Sequence, residues 1–299
     1  MWTIINHTIK SIIPYMPKSF IKVFANRYVA GIKLEETLKK IKELNSYGFS
    51  ATIDILGEHT KDKNEAYAIA EEYANIYNCI SKENLNCNIS IKLSHIGLDL
   101  GLETCAKNLD LIINAAKDNS NFLRIDMESS LITDDIINLY NKSKKKYNRI
   151  GTVFQAYLYR TMRDIKQLDK GSNFRVCKGI YKEDKSIAFS ADSSINENFL
   201  KIVEYAFIND IYIGIATHNP FLLEKIYLLI DKHDVSKEMF EFQVLYGVPM
   251  EKWLKKHTSA GYKIRVYVPF GKSWYEYSIR RLKENPNIAG YILKNLFKK

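Results

Sequence analysis

Long apolar runs are missing from this 299-residue sequence, and none approaches the ~18 residues that a membrane-spanning helix needs. The apolar N-terminal stretch of residues 1–20 is interrupted by His7, Lys10 and Pro14. It also lacks a small-residue cleavage site, so it does not resemble a secretory signal. We expect it to form a packing helix pair; the alternative is an interfacial helix lying on lipid.

Motifs for metals and common cofactors are also absent. The four cysteines form no CxxC pair, which indicates reduced thiols in a cytoplasmic protein. None of the 13 glycines has GxGxxG spacing, and neither a Walker A loop nor an HExxH motif occurs. We therefore expect no catalytic metal and no Rossmann-type dinucleotide site.

Acidic residues are the scarcer charged class, with 34 Asp and Glu against 44 Lys and Arg, giving a net charge of +10. This excess suits an acidic partner such as nucleic acid, an anionic membrane surface or an anionic substrate. The lysines are scattered, however, and no arginine-rich tract or aromatic RNA-binding motif is present. We expect a solvated basic surface and no nucleic-acid partner.

What the sequence does contain is an alternation of short β-branched or aromatic runs with longer amphipathic stretches such as residues 64–77 and 196–207. The expected strands are residues 50–56, 89–94, 122–127, 151–157, 173–179, 210–217, 240–246 and 262–268. Their starts are spaced by about 30 residues on average, the length of one βα unit. We predict an α/β fold: a single (β/α)8 TIM-type barrel domain, with an N-terminal helical segment over residues 1–45 and the barrel over residues 46–299.

Polar residues end or follow nearly every expected strand, which is where barrels of this kind keep their binding sites. They are Lys92, Asp126, Glu128, Gln155, Tyr157, Arg175, Lys178, Tyr181, Thr217, His218, Asn219, Gln243, Tyr246 and Tyr267. Lys92 or Lys178 could form a Schiff base or neutralise an anionic cofactor, and each could equally be a structural ion-pair partner. His218 is either a hydrogen-bonded structural group or a ligand-binding one.

The segment KSWYEYSIRRLKENP, residues 272–286, places polar groups at the spacing of a helical face. Tyr277, Arg280, Arg281 and Glu284 stand at i, i+3, i+4 and i+7, where an apolar stripe is usual. One interpretation is a solvated face with an Arg280–Glu284 pair. Because the helix starts shortly after the last strand and a Pro269–Phe270–Gly271 turn, we instead expect it to lie over the barrel mouth. Two guanidiniums there would bind the carboxylate of a small anion with a compact hydrocarbon part.

Eight segments resemble, in order, those of monofunctional, bacterial-type proline dehydrogenases, and the resemblance runs from about residue 27 to residue 297. They are ATIDILGE, ISIKLSHIGLDLG, RIDMESS, FQAYLYRT, FRVCKGIYKE, IATHN, FEFQVLYG and YVPFGKSWYEYSIRRLKENP. The resemblance implies a (β/α)8 barrel with non-covalent FAD that oxidises L-proline to Δ1-pyrroline-5-carboxylate, the first step of proline catabolism. It further implies hydride transfer to flavin N5 and a membrane quinone as electron acceptor, with peripheral contact to the inner face of the membrane as an option.

The resemblance also assigns roles to individual residues. Arg280 and Arg281 would clamp the proline carboxylate, and Tyr277 is large enough to favour unsubstituted proline. Lys92, Asp126, Tyr181, Leu245, Tyr267 and Tyr277 would surround the substrate. Flavin contacts are implied for Gln155, Arg175, Lys178, Gly179, Thr217, His218, Asn219, Gln243 and Glu284.

Three functions remain as hypotheses at this point. The first is a flavin-dependent proline oxidase, the second a Schiff-base lyase on the same barrel, and the third a basic barrel that docks to acidic surfaces without turnover. No aldehyde-dehydrogenase domain follows residue 299, so under the first hypothesis we expect the second oxidation step on another polypeptide.

Overall fold

The computed structural model describes residues 18–284, apart from the side chains at positions 20, 23, 24, 283 and 284. Eight strands alternate with helices along this range. The strands are β1 (Ser50–Ile55), β2 (Cys87–Ile91), β3 (Leu123–Ile125), β4 (Ile150–Gln155), β5 (Asn173–Cys177), β6 (Tyr212–Ala216), β7 (Phe240–Leu245) and β8 (Ile264–Phe270). Each strand pairs in parallel with the next and β8 pairs with β1, which closes the barrel. The predicted (β/α)8 fold is confirmed.

Helices surround the barrel and precede it. They are α1 (Lys18–Tyr28), α2 (Leu34–Ser46), α3 (Lys63–Lys82), α4 (Leu102–Asp118), α5 (Thr133–Lys146), α6 (Thr161–Ile165), α7 (Asp192–Ile208), α8 (Pro220–Lys232), α9 (Glu251–Ser259) and α10 (Trp274–Glu284). The expected helical stretches 64–77 and 196–207 fall inside α3 and α7. The expected helix pair over residues 1–20 lies largely outside the described residues, and the single-domain boundaries stay a prediction.

The end of β8 differs from the prediction. Pro269 and Phe270 were expected to form a turn, but they extend the strand beside Asp54 and Ile55 of β1. Two hydrogen bonds hold them there: the Leu56 N–H donates to the Phe270 carbonyl at 2.7 Å, and the Ala30 N–H donates to the Pro269 carbonyl at 2.9 Å. Proline is tolerated because it needs only to accept at this position.

The barrel interior is polar, whereas the apolar core lies between the strands and the surrounding helices. Side chains of non-adjacent strands meet inside the barrel: Arg124 of β3 donates to the Asn173 side chain of β5 at 2.7 Å. Barrels of this type are usually filled by layers of branched apolar residues. Here much of the filling consists of buried charged and amide groups, and these form the floor of the mouth.

The last described helix, α10, packs against α1 as well as against the barrel rim. Ile21 and Tyr28 of α1 form one buried cluster with Leu56, Tyr277 and Leu282. This apolar face fixes the rotation of α10 about its own axis.

Candidate active site

A chain of hydrogen bonds crosses the barrel beneath the mouth. Arg265 Nε lies 2.7 Å from Glu241 Oε1, and the same oxygen accepts from Gln243 Nε2 at 2.6 Å. Gln243 Oε1 accepts from Arg175 Nε at 2.5 Å, and Arg175 Nη1 donates to Asp126 Oδ1 at 2.9 Å. Burial by itself would raise the pKa of Glu241, but the charge of Arg265 and these hydrogen bonds hold it below its usual value. The Gln243 amide is therefore oriented, and it positions Arg175.

Asp126, just after β3, accepts hydrogen bonds from side chains of three other strands. Besides Arg175, it accepts from the Ser90 hydroxyl at 2.5 Å and from the Tyr267 hydroxyl at 3.0 Å. The Arg175 guanidinium lies 5.0 Å from the centroid of the Tyr267 ring. Burial, followed by the charges of Asp126 and Asp54, raises the pKa of Tyr267 well above 10. This phenol stays protonated and is a fixed hydrogen-bond donor.

Lys92 lies in an ion pair with Asp54, a residue of β1. The Lys92 Nζ to Asp54 Oδ2 distance is 2.8 Å, and the two side chains are only 13% and 2% exposed. Although burial opposes it, the charges of Asp54, Asp126 and Glu58 raise the pKa of Lys92. A lysine held as an ammonium is a poor nucleophile, which weakens the Schiff-base hypothesis at this residue.

Arg280 reaches the loop that follows β1. Its Nη1 donates to Glu58 Oε2 at 3.0 Å, with the Arg280 side chain 44% exposed and that of Glu58 13% exposed. Beside this pair lies a cavity of about 430 Å³ whose lining includes Leu56, Glu58, His95 and Arg280. Glu284, expected to hold one of the arginines, has its side chain outside the described residues.

Arg281 faces a different part of the mouth. Its guanidinium carbon lies 5.4 Å from the centroid of the buried Tyr277 ring. Burial, together with the charge of Arg281, lowers the pKa of His218, which follows β6, to about 4. His218 is therefore neutral near pH 7, and its Nε2 accepts from the Leu245 N–H at 3.0 Å. Arg280 thus contacts a residue on the β1 side of the opening, and Arg281 lowers the pKa of a residue on the β6 side.

Tyr181 belongs to the same opening, on the loop after β5. Burial raises the pKa of its hydroxyl, and the charges of Glu58, Glu128 and Asp126 add to the effect, whereas Arg280 opposes it. Leu245, at the end of β7, is half-buried beside His218. Tyr181 and Leu245 are half-buried and Tyr277 is buried, so three of the predicted substrate residues are large side chains with apolar surface.

Some of the predicted cofactor residues lie in the buried polar floor of the mouth, and others lie around its edge, nearer to solvent. Gln155 is buried and donates to the Glu128 carbonyl at 2.9 Å, close to the floor. Lys178 stands further out, 3.5 Å from the exposed carboxylate of Asp192. Gly179 adopts a φ of +120°, and a Cβ there would approach the Tyr157 ring to 2.2 Å, so only glycine fits this turn.

Thr217 and Asn219 are engaged in local structure at the end of β6. Thr217 Oγ1 accepts from the Asn219 N–H at 3.2 Å. Asn219 Oδ1 caps α8 by accepting from the N–H groups of Phe221 and Leu222. The Asn219 amide NH2 makes no hydrogen bond within residues 18–284, so it is the part of this side chain that a ligand could use.

Four site residues were missed by the sequence interpretation: Asp54, Glu58, Glu241 and Arg265. Three of them had a visible signal, because they alternate with apolar residues in TIDI, FEFQ and IRVY, one face of each strand being polar. That face was not recognised as the barrel interior. Glu58 carried only the weaker signal of a carboxylate just beyond a strand.

Several donors of the mouth remain available to a ligand. Arg175 uses Nε and Nη1 within the protein, and its Nη2 has no hydrogen bond to another described residue. Lys178 is held only loosely by a carboxylate that is 88% exposed. A cationic and amide donor set of this kind suits a ligand that combines an electron-rich ring with phosphates. Within residues 18–284, no cluster of three or more His, Cys, Asp or Glu side chains is arranged to bind a metal.

Comparison with known proteins adds a family to this geometry. The family described as proline dehydrogenase matches residues 37–292. Proline dehydrogenase 1 of Bacillus subtilis strain 168 is 37% identical over 276 residues, which cover 92% of this chain and 91% of that protein. Proline dehydrogenase of Deinococcus radiodurans is 30% identical over 285 residues, covering 92% of this chain and 90% of that protein.

The fold also resembles that of a larger solved protein. A crystal structure of proline utilization A (PutA) from Bdellovibrio bacteriovorus, inactivated by N-propargylglycine, superposes with a TM-score of 0.81 at 23% identity. The match covers 88% of this chain but only 33% of the PutA chain, so this chain spans about a third of that protein's length. At this identity the likeness supports the barrel fold.

Proposed function

This chain belongs to the proline dehydrogenase family, and on that premise we propose that it oxidises L-proline to Δ1-pyrroline-5-carboxylate with bound FAD. The observation that carries the proposal is the position of the two arginines over one polar opening. Arg280 reaches Glu58 at 3.0 Å after β1, and Arg281 influences His218 after β6. A carboxylate between them would receive forked donors from two directions.

Substrate recognition follows from the residues around that opening. Arg280 and Arg281 bind the proline carboxylate, while Tyr181, Leu245 and Tyr277 enclose its hydrocarbon ring and exclude water. Tyr277 is a large side chain that is 8% exposed, and its size favours proline without a substituent on the ring. Asp126, Tyr267 and Lys92 lie beneath and hold the reacting end of the substrate in one orientation.

The residues of the floor and perimeter fit FAD. Arg175, Gln155, Gln243 and His218 would hold its ring system, and Lys178, Gly179, Thr217 and Asn219 would hold its phosphates. FAD, when bound, supplies the acceptor for the hydride that leaves the proline ring. Arg175 donates from a cationic guanidinium that Gln243 and Asp126 hold in place, so the protein offers a positive charge to an electron-rich ring without reorganising.

The electron acceptor and the cellular location extend the same proposal. We place the enzyme in the cytoplasm, with a membrane quinone as its acceptor and peripheral contact with the membrane. The net charge of +10 supports attraction to anionic lipid. Within residues 18–284, no helix has both the length and the apolar character that crossing a bilayer requires.

Purified protein tests the proposal directly. An anaerobic titration with L-proline should bleach a yellow flavin spectrum stoichiometrically, and D-proline should not bleach it. Protein reconstituted with FAD that stays oxidised in excess L-proline would refute the proposal. Trapping of an adduct on Lys92 or Lys178 by borohydride would support the Schiff-base alternative instead.

A further inference from the structure

Exposed apolar side chains are concentrated on the rim of the barrel mouth. Five of the eleven large apolar residues that are exposed in residues 18–284 lie on the loops or first turns that follow β3, β4, β5 and β6. These five, here called the apolar rim, are Leu131, Tyr159, Ile180, Ile187 and Phe221, with exposures of 91, 48, 56, 40 and 51%. Soluble proteins seldom group such residues unless the surface binds something.

The loops that carry the apolar rim are fastened to one another. The Ser130 N–H donates to Glu183 Oε1 at 2.8 Å, which joins the loop after β3 to the loop after β5. The Tyr159 hydroxyl donates to the Lys185 carbonyl at 3.0 Å, and the Tyr159 ring packs edge-on against Phe189 at 4.6 Å. The loops after β3, β4 and β5 therefore present their apolar residues on a fixed surface rather than on independent loops.

Basic residues are interspersed with these apolar ones. Lys182 and Lys185 stand between Ile180 and Ile187, are exposed, and have no carboxylate partner among the described residues. The Lys225 ammonium lies 5.9 Å from the Phe221 ring. The two acids of the loop after β5 accept hydrogen bonds within the protein and keep their charge: Glu183 accepts from Ser130, and Asp184 accepts from the Ser186 N–H at 2.8 Å.

We propose that the apolar rim docks on an anionic lipid bilayer, so that the barrel mouth faces the membrane. Apolar and tyrosine side chains would enter the interface while the lysines extend to the headgroups. A second copy of the chain is the weaker candidate, because a twofold contact would bring the same lysines face to face. The docking itself is argued from the rim residues. Its benefit to the protein rests on the proposed function, because a quinone dissolved in the bilayer would then reach the barrel mouth.

Vesicle sedimentation at low salt tests the docking, with vesicles of phosphatidylglycerol and phosphatidylcholine compared with phosphatidylcholine alone. The variant Leu131→Glu/Ile187→Glu should partition about tenfold less onto the anionic vesicles. The control Ile208→Glu/Leu228→Glu changes residues of 61 and 60% exposure on α7 and α8, away from the rim, and should bind as the wild type does. The proposal would be overturned if the rim variant bound anionic vesicles as well as the wild type, or if the control variant lost as much binding as the rim variant.

Turnover separates this proposal from the proposed function. With a soluble dye as acceptor, the rim variant should oxidise proline at the wild-type rate; with a quinone embedded in vesicles, its rate should fall about tenfold, in line with its vesicle binding. Wild-type protein that binds vesicles but does not oxidise proline with the dye would refute the proposed function alone. A rim variant that dissociates a dimer while binding vesicles normally would show that the rim is an interface between copies, and docking would be wrong.

Discussion

The Arg280 guanidinium lies 3.0 Å from the Glu58 carboxylate, and this contact joins residues 222 positions apart. It holds the C-terminal helix of the described chain to the loop after the first strand. Arg281, one residue further on, instead lies 5.4 Å from the Tyr277 ring, and its charge lowers the pKa of His218, which follows β6. Neighbours in sequence therefore have different surroundings, and we expect their substitutions to differ in consequence.

Replacing Arg281 with lysine should raise the KM for L-proline by about tenfold to a hundredfold, because a charge-assisted, forked hydrogen bond is worth roughly 1.5–3 kcal/mol. Steady-state kinetics with a soluble acceptor measures the change. Lys272→Gln removes an exposed cation two residues before the same helix; it serves as the control and should leave KM within about twofold. Equal effects of the two variants would show that only the overall charge matters.

Glu58→Gln should change the KM by no more than about fivefold, because the Arg280 side chain is 44% exposed and such pairs contribute about 1 kcal/mol or less. The fluorescence of bound flavin and the spectrum of the oxidised enzyme should not change, since Glu58 belongs to the substrate side of the mouth. A rise in KM of about tenfold or more, as expected for Arg281→Lys, would contradict this and would show that Glu58 determines the position of Arg280.

Arg281→Gln should raise the pKa of His218 above its value of about 4, because the nearby positive charge is removed. The pKa should remain below 6.5, since burial is the larger cause of the shift. NMR titration of histidine-labelled protein measures it, with His257, whose pKa is lowered by burial and Lys256 rather than by Arg281, as an internal reference. An unchanged His218 pKa would show that Arg281 is directed elsewhere in solution.

Glu241→Gln should destabilise the fold by about 3–5 kcal/mol, because it leaves the Arg265 guanidinium buried without its carboxylate. The Glu241 side chain is 4% exposed and that of Arg265 16% exposed. Glu238→Gln is a matched control just before the same strand, in a pair with Lys263 that is 76% and 43% exposed, and should cost about 1 kcal/mol or less. Urea denaturation compares the two, and similar losses would mean that solvent reaches Glu241.

The stability should fall as the pH drops from about 6.5 towards 4, in part because of His257. This histidine is fully buried, its Nδ1 lies 2.9 Å from the Tyr227 hydroxyl, and burial followed by the charge of Lys256 lowers its pKa to about 4. Between the folded and unfolded pKa values the unfolded chain binds the extra proton, so acid favours unfolding there. One such group contributes a slope of about 1.4 kcal/mol per pH unit.

His257→Gln tests this assignment, because glutamine does not titrate and its amide can still pair with Tyr227. Urea denaturation at pH 5.0, 5.5, 6.0 and 7.0 should show a shallower dependence on pH in the variant by about one proton. His95 and His218 also have pKa values lowered to about 4, so some slope should remain. An identical slope in both proteins would exclude His257 as the source.

The sequence was sufficient for the strands because each is a short run with turn signals on both sides. It also located the arginine pair, since i, i+3, i+4 spacing is a local property of one helix. The end of β8 was wrong because the partner that stabilises Pro269 as strand is the Ala30 N–H, far away in the chain. A local sequence pattern cannot indicate a hydrogen-bond partner that is distant in the chain.

The floor of the site could be predicted only in part for the same reason. Arg175 and Gln243 are 68 residues apart, and Tyr267 and Asp126 are 141 apart. The residue types were visible at the strand ends, but which ones pair depends on how the strands are staggered around the barrel. The same applies to Glu58, whose role becomes visible only when α10 is placed above it.

The buried ion pairs inside the barrel restrict which substitutions this protein can accept during evolution. Glu241 and Arg265 are neighbours on β7 and β8, and each is the main compensation for the other's charge. A single substitution at either position leaves the other charge buried without its partner and destabilises the protein. Replacing both residues by apolar ones of similar volume does not have this effect. Related sequences should therefore vary at these two positions together, both charged or both uncharged, even though the two lie 24 positions apart in the chain.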